Sequence, residues 1–168
     1  MVLAKLLARQ KANIVKAWFD RLINSYPPDT AQFLKSQKDQ FANPVGFTAQ
    51  ESMQGLFDLM LEKWDRPALI KNLDPIIRVR AIQNFSPSQA VSFILDLKPL
   101  VRSQVDQASV SAEELARFDQ RVDDLLLLAF DIYLQCREKI YELKVSTERD
   151  KIYSAFSRAG LIADVSKE

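Results

Sequence analysis

Apolar side chains recur at steps of three and four along nearly the whole chain, the period of amphipathic helices. Leu3, Leu7, Ile14, Trp18 and Leu22 share one stripe, widened by Val15 and Phe19, and predict a first helix over residues 3–25. Tyr26-Pro27-Pro28-Asp29 stops it. A short helix is predicted over 30–38, ending before the loop Phe41-Ala42-Asn43-Pro44-Val45-Gly46, because a residue before proline is biased away from helical angles. The next helix is predicted to start near Thr48, where Thr48 and Glu51 have capping-box spacing. It buries Met53, Leu56, Phe57, Met60, Leu61 and Trp64. Gly55 inside it costs about 1 kcal/mol relative to alanine, which points to close approach by a crossing helix. Asp65, Arg66 and Pro67 mark a break.

Asp74-Pro75 reads as an N-cap with proline at the first helical position, opening a helix over 76–83. Asn84 and Phe85 lead to Ser86-Pro87-Ser88-Gln89, a second capping box. It starts a helix through Val91, Ile94, Leu95, Val101 and Val105, with a kink predicted at Pro99. Gln107-Ala108-Ser109-Val110 is a linker, and Ser111 with Glu114 forms a third capping box. The last helix is predicted over 112–158, with a break allowed near Ser146-Thr147 and Gly160 just past its end. Leu115, Phe118, Val122, Leu125, Ala129, Ile132 and Cys136 make a seam of three heptads along it, broadened by Leu126, Tyr133, Ile140 and Leu143. With no Asn-Gly or Asp-Gly pair to mark a hairpin, the pattern predicts a single all-α domain of about six helices over residues 1–145, and a helical extension over 146–168.

Composition narrows the class. The chain has 168 residues, 48% of them hydrophobic and 27% charged, with net charge +1, so no bulk charge draws it to nucleic acid or an acidic membrane. Residues 1–84 carry an excess of basic side chains and 85–168 an excess of acidic ones. That asymmetry reads as ordinary solvated helix faces, or as complementary charge that orients two copies. Lys5, Arg9, Lys11 and Lys16 have no helix-turn-helix context, so no nucleic-acid partner is expected. The longest purely apolar run, Leu125 to Phe130, falls far short of the ~20 residues of a membrane span. No signal-peptide core is present, and the lone cysteine suits a cytoplasmic location.

The candidate chemistry is sparse. The chain contains no histidine, the usual general base and the commonest nitrogen ligand for metals and haem. No phosphate-loop, dinucleotide or nucleophile-elbow motif is present. Cys136 lies on the apolar seam and reads as a core thiol. Glu138 and Glu142 lack the Glu-x-x-His partners of a carboxylate-bridged metal site. Arg78 and Arg80 fall on different helix faces, so one is expected in solvent and the other against the core, paired with Asp123, Asp124 or Asp131. The aromatic set Trp18, Phe19, Phe33, Phe41, Phe57, Trp64, Phe85, Phe93 and Phe118 reads as packed core, or as the lining of a pocket for an apolar small molecule or lipid. No enzyme activity, cofactor or metal is expected.

Three stretches carry a resemblance. They are Phe33-Leu34-Lys35 through Lys38-Asp39-Gln40 to Phe41-Ala42-Asn43-Pro44-Val45-Gly46; Ile76-Ile77-Arg78-Val79-Arg80-Ala81-Ile82-Gln83 with Phe85-Ser86-Pro87-Ser88-Gln89-Ala90-Val91; and Leu128-Ala129-Phe130-Asp131-Ile132-Tyr133 with Cys136-Arg137-Glu138. Together they resemble the N-terminal domain of the RsbRD group of RsbT co-antagonists of the bacterial stressosome, in a stand-alone form without the STAS domain. The resemblance implies a globin-like helical fold without haem, with a helical bundle as the alternative. It also implies a non-enzymatic sensory, regulatory or adaptor role through protein–protein contacts, as a homodimer using its first and last helices and with a further protein partner. Stand-alone relatives are similar to accessory proteins of respiratory sulfite-reduction complexes. The residues it marks are Phe41, Asn43, Pro44, Gly46, Arg78, Arg80, Gln83, Pro87 and Gln89. Read without the family, both motifs are conformational: Asn43 bonds its own backbone, Pro44 fixes the turn, Gly46 frees it, and Ser86 with Gln89 caps a helix.

Overall fold

The computed structural model describes residues 2–62, 64–83, 85–106 and 109–162. The expected roles of Asn84, of Gln107 and Ala108 in the linker, and of the tail's last residues, 163–168, lie outside the described residues. The chain is all-α, with no strand among the described residues. Its helices are α1 (Val2–Asn24), α2 (Pro28–Ser36), α3 (Pro44–Leu61), α4 (Arg66–Ile82), α5 (Pro87–Val91), α6 (Leu97–Gln104) and α7 (Ala112–Arg158), with a 3-10 turn at Ser92–Ile94 between α5 and α6. No helix among the described residues is long and apolar enough to cross a membrane.

The apolar stripes meet in one core. α4 packs against both α3 and α7, and α1 against α3 and α6. Trp18, Phe57, Leu69, Ile77, Ile94 and Leu125 are among the fully enclosed side chains. The Trp18 indole N–H donates to the Phe93 carbonyl at 2.7 Å, so the largest core residue leaves no buried donor unpaired. Gly55 allows the expected close approach: a Cβ there would stand 2.5 Å from the Asn72 amide oxygen on α4.

Several helix starts lie upstream of the predicted ones, and each has the same cause. Proline in the first helical turn, at the first position in α2 and α3 and the second in α4, lacks only an N–H that would have had no partner there. Thus Pro28 opens α2 and does not merely stop α1, and Pro44 opens α3 with Asn43 as its N-cap. Thr48 and Glu51 therefore lie inside α3, not at a cap. Asp65 caps α4 through the Ala68 N–H at 3.1 Å, which makes Asp74-Pro75 an interior feature of α4 rather than its start. The long helix expected to kink at Pro99 is three pieces. Pro99 sits in the first turn of α6, where its missing N–H costs little, and the Leu95 carbonyl accepts from Lys98 N–H at 3.1 Å instead.

The Ser86–Gln89 capping box forms in full. At α7 only half of the third box does: Ser111 accepts from Glu114 N–H, while the Glu114 carboxylate accepts from Leu3 N–H at 3.3 Å and ties α1 to α7. α7 runs unbroken through Ser146 and Thr147, whose hydroxyl donates back to the Leu143 carbonyl. Gly160, at φ +68°, closes it, with its own N–H on the Ser157 carbonyl and Leu161 N–H on the Phe156 carbonyl. At about 1.5 Å per residue the 47-residue helix is about 70 Å long, and every residue from Tyr141 to Arg158 is exposed.

Candidate functional site: two clasps, a cleft and an outward helix face

The first marked stretch is a clasp built on one amide. Asn43 is 2% exposed. Its side-chain oxygen accepts from Gly46 N–H at 2.9 Å, capping the start of α3. Its side-chain N–H2 donates to the carbonyls of Leu34 at 3.0 Å and Gln37 at 2.9 Å, capping the end of α2. All its bonding capacity of that kind is spent joining two helix ends. Gly46 does not free the turn, since its backbone is helical. It is glycine because a Cβ would lie 2.4 Å from the Asn43 amide nitrogen. Phe41, by contrast, is 92% exposed and takes no part in the clasp beyond its backbone.

The second marked stretch is a clasp built on Arg80, 1% exposed. Its Nε–H donates to the Ala90 carbonyl at 3.0 Å, and Nη2 donates to the Gln89 carbonyl at 2.8 Å and the Ser25 hydroxyl at 3.0 Å. The guanidinium lies 4.1 Å from the Phe85 ring centroid, 5.3 Å from Tyr26 and 5.7 Å from Phe93. Nη1 has no hydrogen-bond partner among the described residues. Burial pulls Arg80 below the ordinary guanidinium value, and the neighbouring Tyr26 works against that shift.

The carboxylate partner expected for Arg80 is therefore absent: Asp123 pairs with Lys98 and Asp124 accepts from Gln120. Backbone carbonyls and ring faces hold the charge, because the end of α5 delivers two carbonyls at the site. Arg78 is the exposed member, bound through two contacts to Asp74 at 2.7 and 3.1 Å, and that bond raises its pKa. Gln89 completes the cap of α5 with Ser86 and offers its carbonyl to Arg80, Pro87 is the first residue of α5, and Gln83 caps the end of α4.

The third stretch joins the same cluster. Tyr133 on α7 donates its hydroxyl to the Phe85 carbonyl at 2.7 Å, and Arg137 donates to the Ala81 carbonyl at 3.1 Å. Cys136 is half-buried on the seam, and burial, opposed by Arg78, pushes its thiol up. Ser25 and Tyr26 were not singled out in the sequence as site residues, and Phe85 was marked only as one of the aromatic set. Phe85 stands five residues after the arginine, but Ser25 and Tyr26 lie more than fifty residues before it, and only the fold brings them to it.

Between the clasps lies an apolar cleft of about 320 Å³ under Leu22, Tyr26, Val45, Ala49, Ile76 and Val79, with Pro44, Pro75 and Arg78 also on its wall. Tyr26 is the one aromatic lining it. Most of the aromatic set is packed core, as read, and not pocket lining: Trp18, Phe57, Phe93 and Phe118 are buried, whereas Phe33 and Phe41 face outward. The heptad seam of α7 is likewise spent inside the domain, on Phe118, Val122, Leu125, Ala129 and Ile132. The outward side of α1 is mostly polar, with Lys5, Arg9, Asn13, Lys16 and Arg21 along it, so α1 offers little apolar surface to a second copy.

The marked polar residues thus hold helix ends together in a scaffold with an open cleft and a projecting helix. That is the construction of an all-α domain. The chain belongs to the RsbT co-antagonist protein rsbRD N-terminal domain family, whose model matches residues 12–144. It is also 29% identical over 138 residues to an uncharacterized protein of Archaeoglobus fulgidus, covering 80% of this chain and 82% of that protein. No solved structure matches it.

Proposed function

We propose that the chain is a non-enzymatic regulatory or adaptor domain of the cytoplasm that forms homodimers and passes a signal by changing helix contacts with a protein partner. One observation carries this reading. Beyond Ile140, α7 leaves the body and keeps Tyr141, Val145, Ile152 and Phe156 in the open. The row of apolar side chains on this exposed end fits a surface meant to be covered. Membership of a family named for co-antagonists agrees with action through protein contacts, and a globin-like packing of α1 to α7 is part of the same reading. Sedimentation velocity across the micromolar range tests it: a concentration-dependent dimer is expected, and a strict monomer at high micromolar concentration overturns the dimer.

The cleft favours a second reading, in which an apolar small molecule biases the α1, α3 and α4 packing. Its volume lies at the lower end for small-molecule sites. Native mass spectrometry of the purified protein checks this, with a bound lipid-like mass lost on Ala49→Phe as the expected result.

A further inference from the structure

The outward face of α7 carries a second apolar stripe, separate from the buried seam. Phe130, Leu134, Tyr141, Val145, Ile152 and Phe156 lie on it, each between 43% and 59% exposed. Glu138 and Arg149 occupy two further positions in this span, and Glu148, five turns on from Phe130, lies at its edge. The eight positions follow steps of three and four that repeat every 11 residues, a period close enough to helical to hold them on one side of a nearly straight helix. The stripe reads almost alike from either end. Phe130 and Phe156 stand equally far from residue 143, as do Leu134 and Ile152, and Tyr141 and Val145.

We propose that this face is a docking surface for a second copy of the chain, with the two α7 helices running antiparallel about a two-fold axis at residue 143. This inference rests on the homodimer reading above and adds its surface and direction. In that register Phe130 meets the second copy's Phe156, Leu134 its Ile152, and Tyr141 its Val145. Glu138 comes level with the second copy's Glu148, which is paired with that copy's own Lys151, and within one residue, about 1.5 Å along the axis, of its Arg149. A parallel pair would set Glu138 against Glu138 and Arg149 against Arg149 in the middle of an apolar seam, where like charges are destabilising. The antiparallel pair also covers what each copy leaves open. The exposed end of one α7 lies along Phe130 and Leu134, on the outer side of the other copy's body.

Cysteine cross-linking reads the direction. On a Cys136→Ala background, Leu134→Cys and Ile152→Cys chains are made separately, mixed, and mildly oxidised. The expected result is a covalent 134–152 dimer in the mixture and none from Ile152→Cys alone, whose two thiols would lie about 27 Å apart along the axis. All the substituted stripe positions are solvent-facing, and circular dichroism of each variant checks that the fold is kept. A disulfide dimer from Ile152→Cys alone overturns the antiparallel direction and leaves the homodimer standing. A dimer by sedimentation that cross-links in no sample overturns this surface and again leaves the homodimer. A monomer by sedimentation overturns both.

Discussion

Asn43→Asp changes one atom type and reverses the chemistry of the α2–α3 clasp. The carboxylate keeps an acceptor for Gly46 N–H, so the N-cap of α3 survives. It loses both donors to the Leu34 and Gln37 carbonyls, and sets negative charge about 3 Å from two carbonyl oxygens in a buried site. Two net hydrogen bonds are worth about 1 kcal/mol each, and orphaning buried acceptors adds a further desolvation cost, so the variant should lose about 3 kcal/mol near neutral pH. Burial and the facing carbonyls disfavour the charged form, raising the carboxyl's folded-state pKa above its ordinary ~3.9. A group raised on folding contributes stability that is present below its unfolded pKa and is lost as pH rises through the folded one. The protonated acid can also donate to one of the two carbonyls. The defect relative to the unsubstituted protein should therefore shrink on going from pH 7.5 to pH 4.5, and urea unfolding of both proteins at each pH measures it. A difference under about 0.5 kcal/mol at pH 7.5, or one that does not narrow in acid, would refute the account of Asn43 as a double cap.

Gly46→Ala should destabilise by about 2 kcal/mol, although alanine is the better helix former, because its Cβ meets the Asn43 amide at 2.4 Å; in an Asn43→Ala background the same change should become neutral or favourable, a sign reversal that a double-mutant cycle of urea midpoints reads. Arg78→Ala should stay within about 0.5 kcal/mol, since its ion pair with Asp74 is exposed, whereas Arg80→Met should cost about 3 kcal/mol by orphaning the Gln89 and Ala90 carbonyls; thermal unfolding of the two side by side checks the contrast. Gly160→Ala should cost about 1 kcal/mol of local helix-end stability from its φ of +68° alone, with no steric clash, and amide hydrogen exchange at Phe156 to Leu161 should show the fraying.

Periodicity and caps are local properties, and both were readable along the chain. The all-α class, the span of α7, the Ser86–Gln89 box and the Gly160 terminus all follow from interactions within a few residues or one helical turn, while Gly55 signalled a close approach without naming Asn72 as its partner. The helix starts at Pro28, Pro44 and Arg66 were equally local. There the reading of proline as a stop outweighed its fitness for the first helical turn. The family resemblance was carried by residues such as Asn43, Gly46 and Arg80, and the structure gives their physical reason: Asn43 and Arg80 each fasten one helix end to another, and Gly46 leaves room for the Asn43 amide.

What lay beyond the sequence was the choice of partner across long separations. One arginine of the pair had to be buried, yet nothing local told that Arg80 would meet the carbonyls of Gln89 and Ala90 and three rings instead of an aspartate on α7. Apolar spacing marked the α7 seam that the core takes, but not the second stripe on the opposite face. A helix shows every face to its sequence pattern alike, and only packing against α4 and α5 determines which face is used up and which is left for a second molecule.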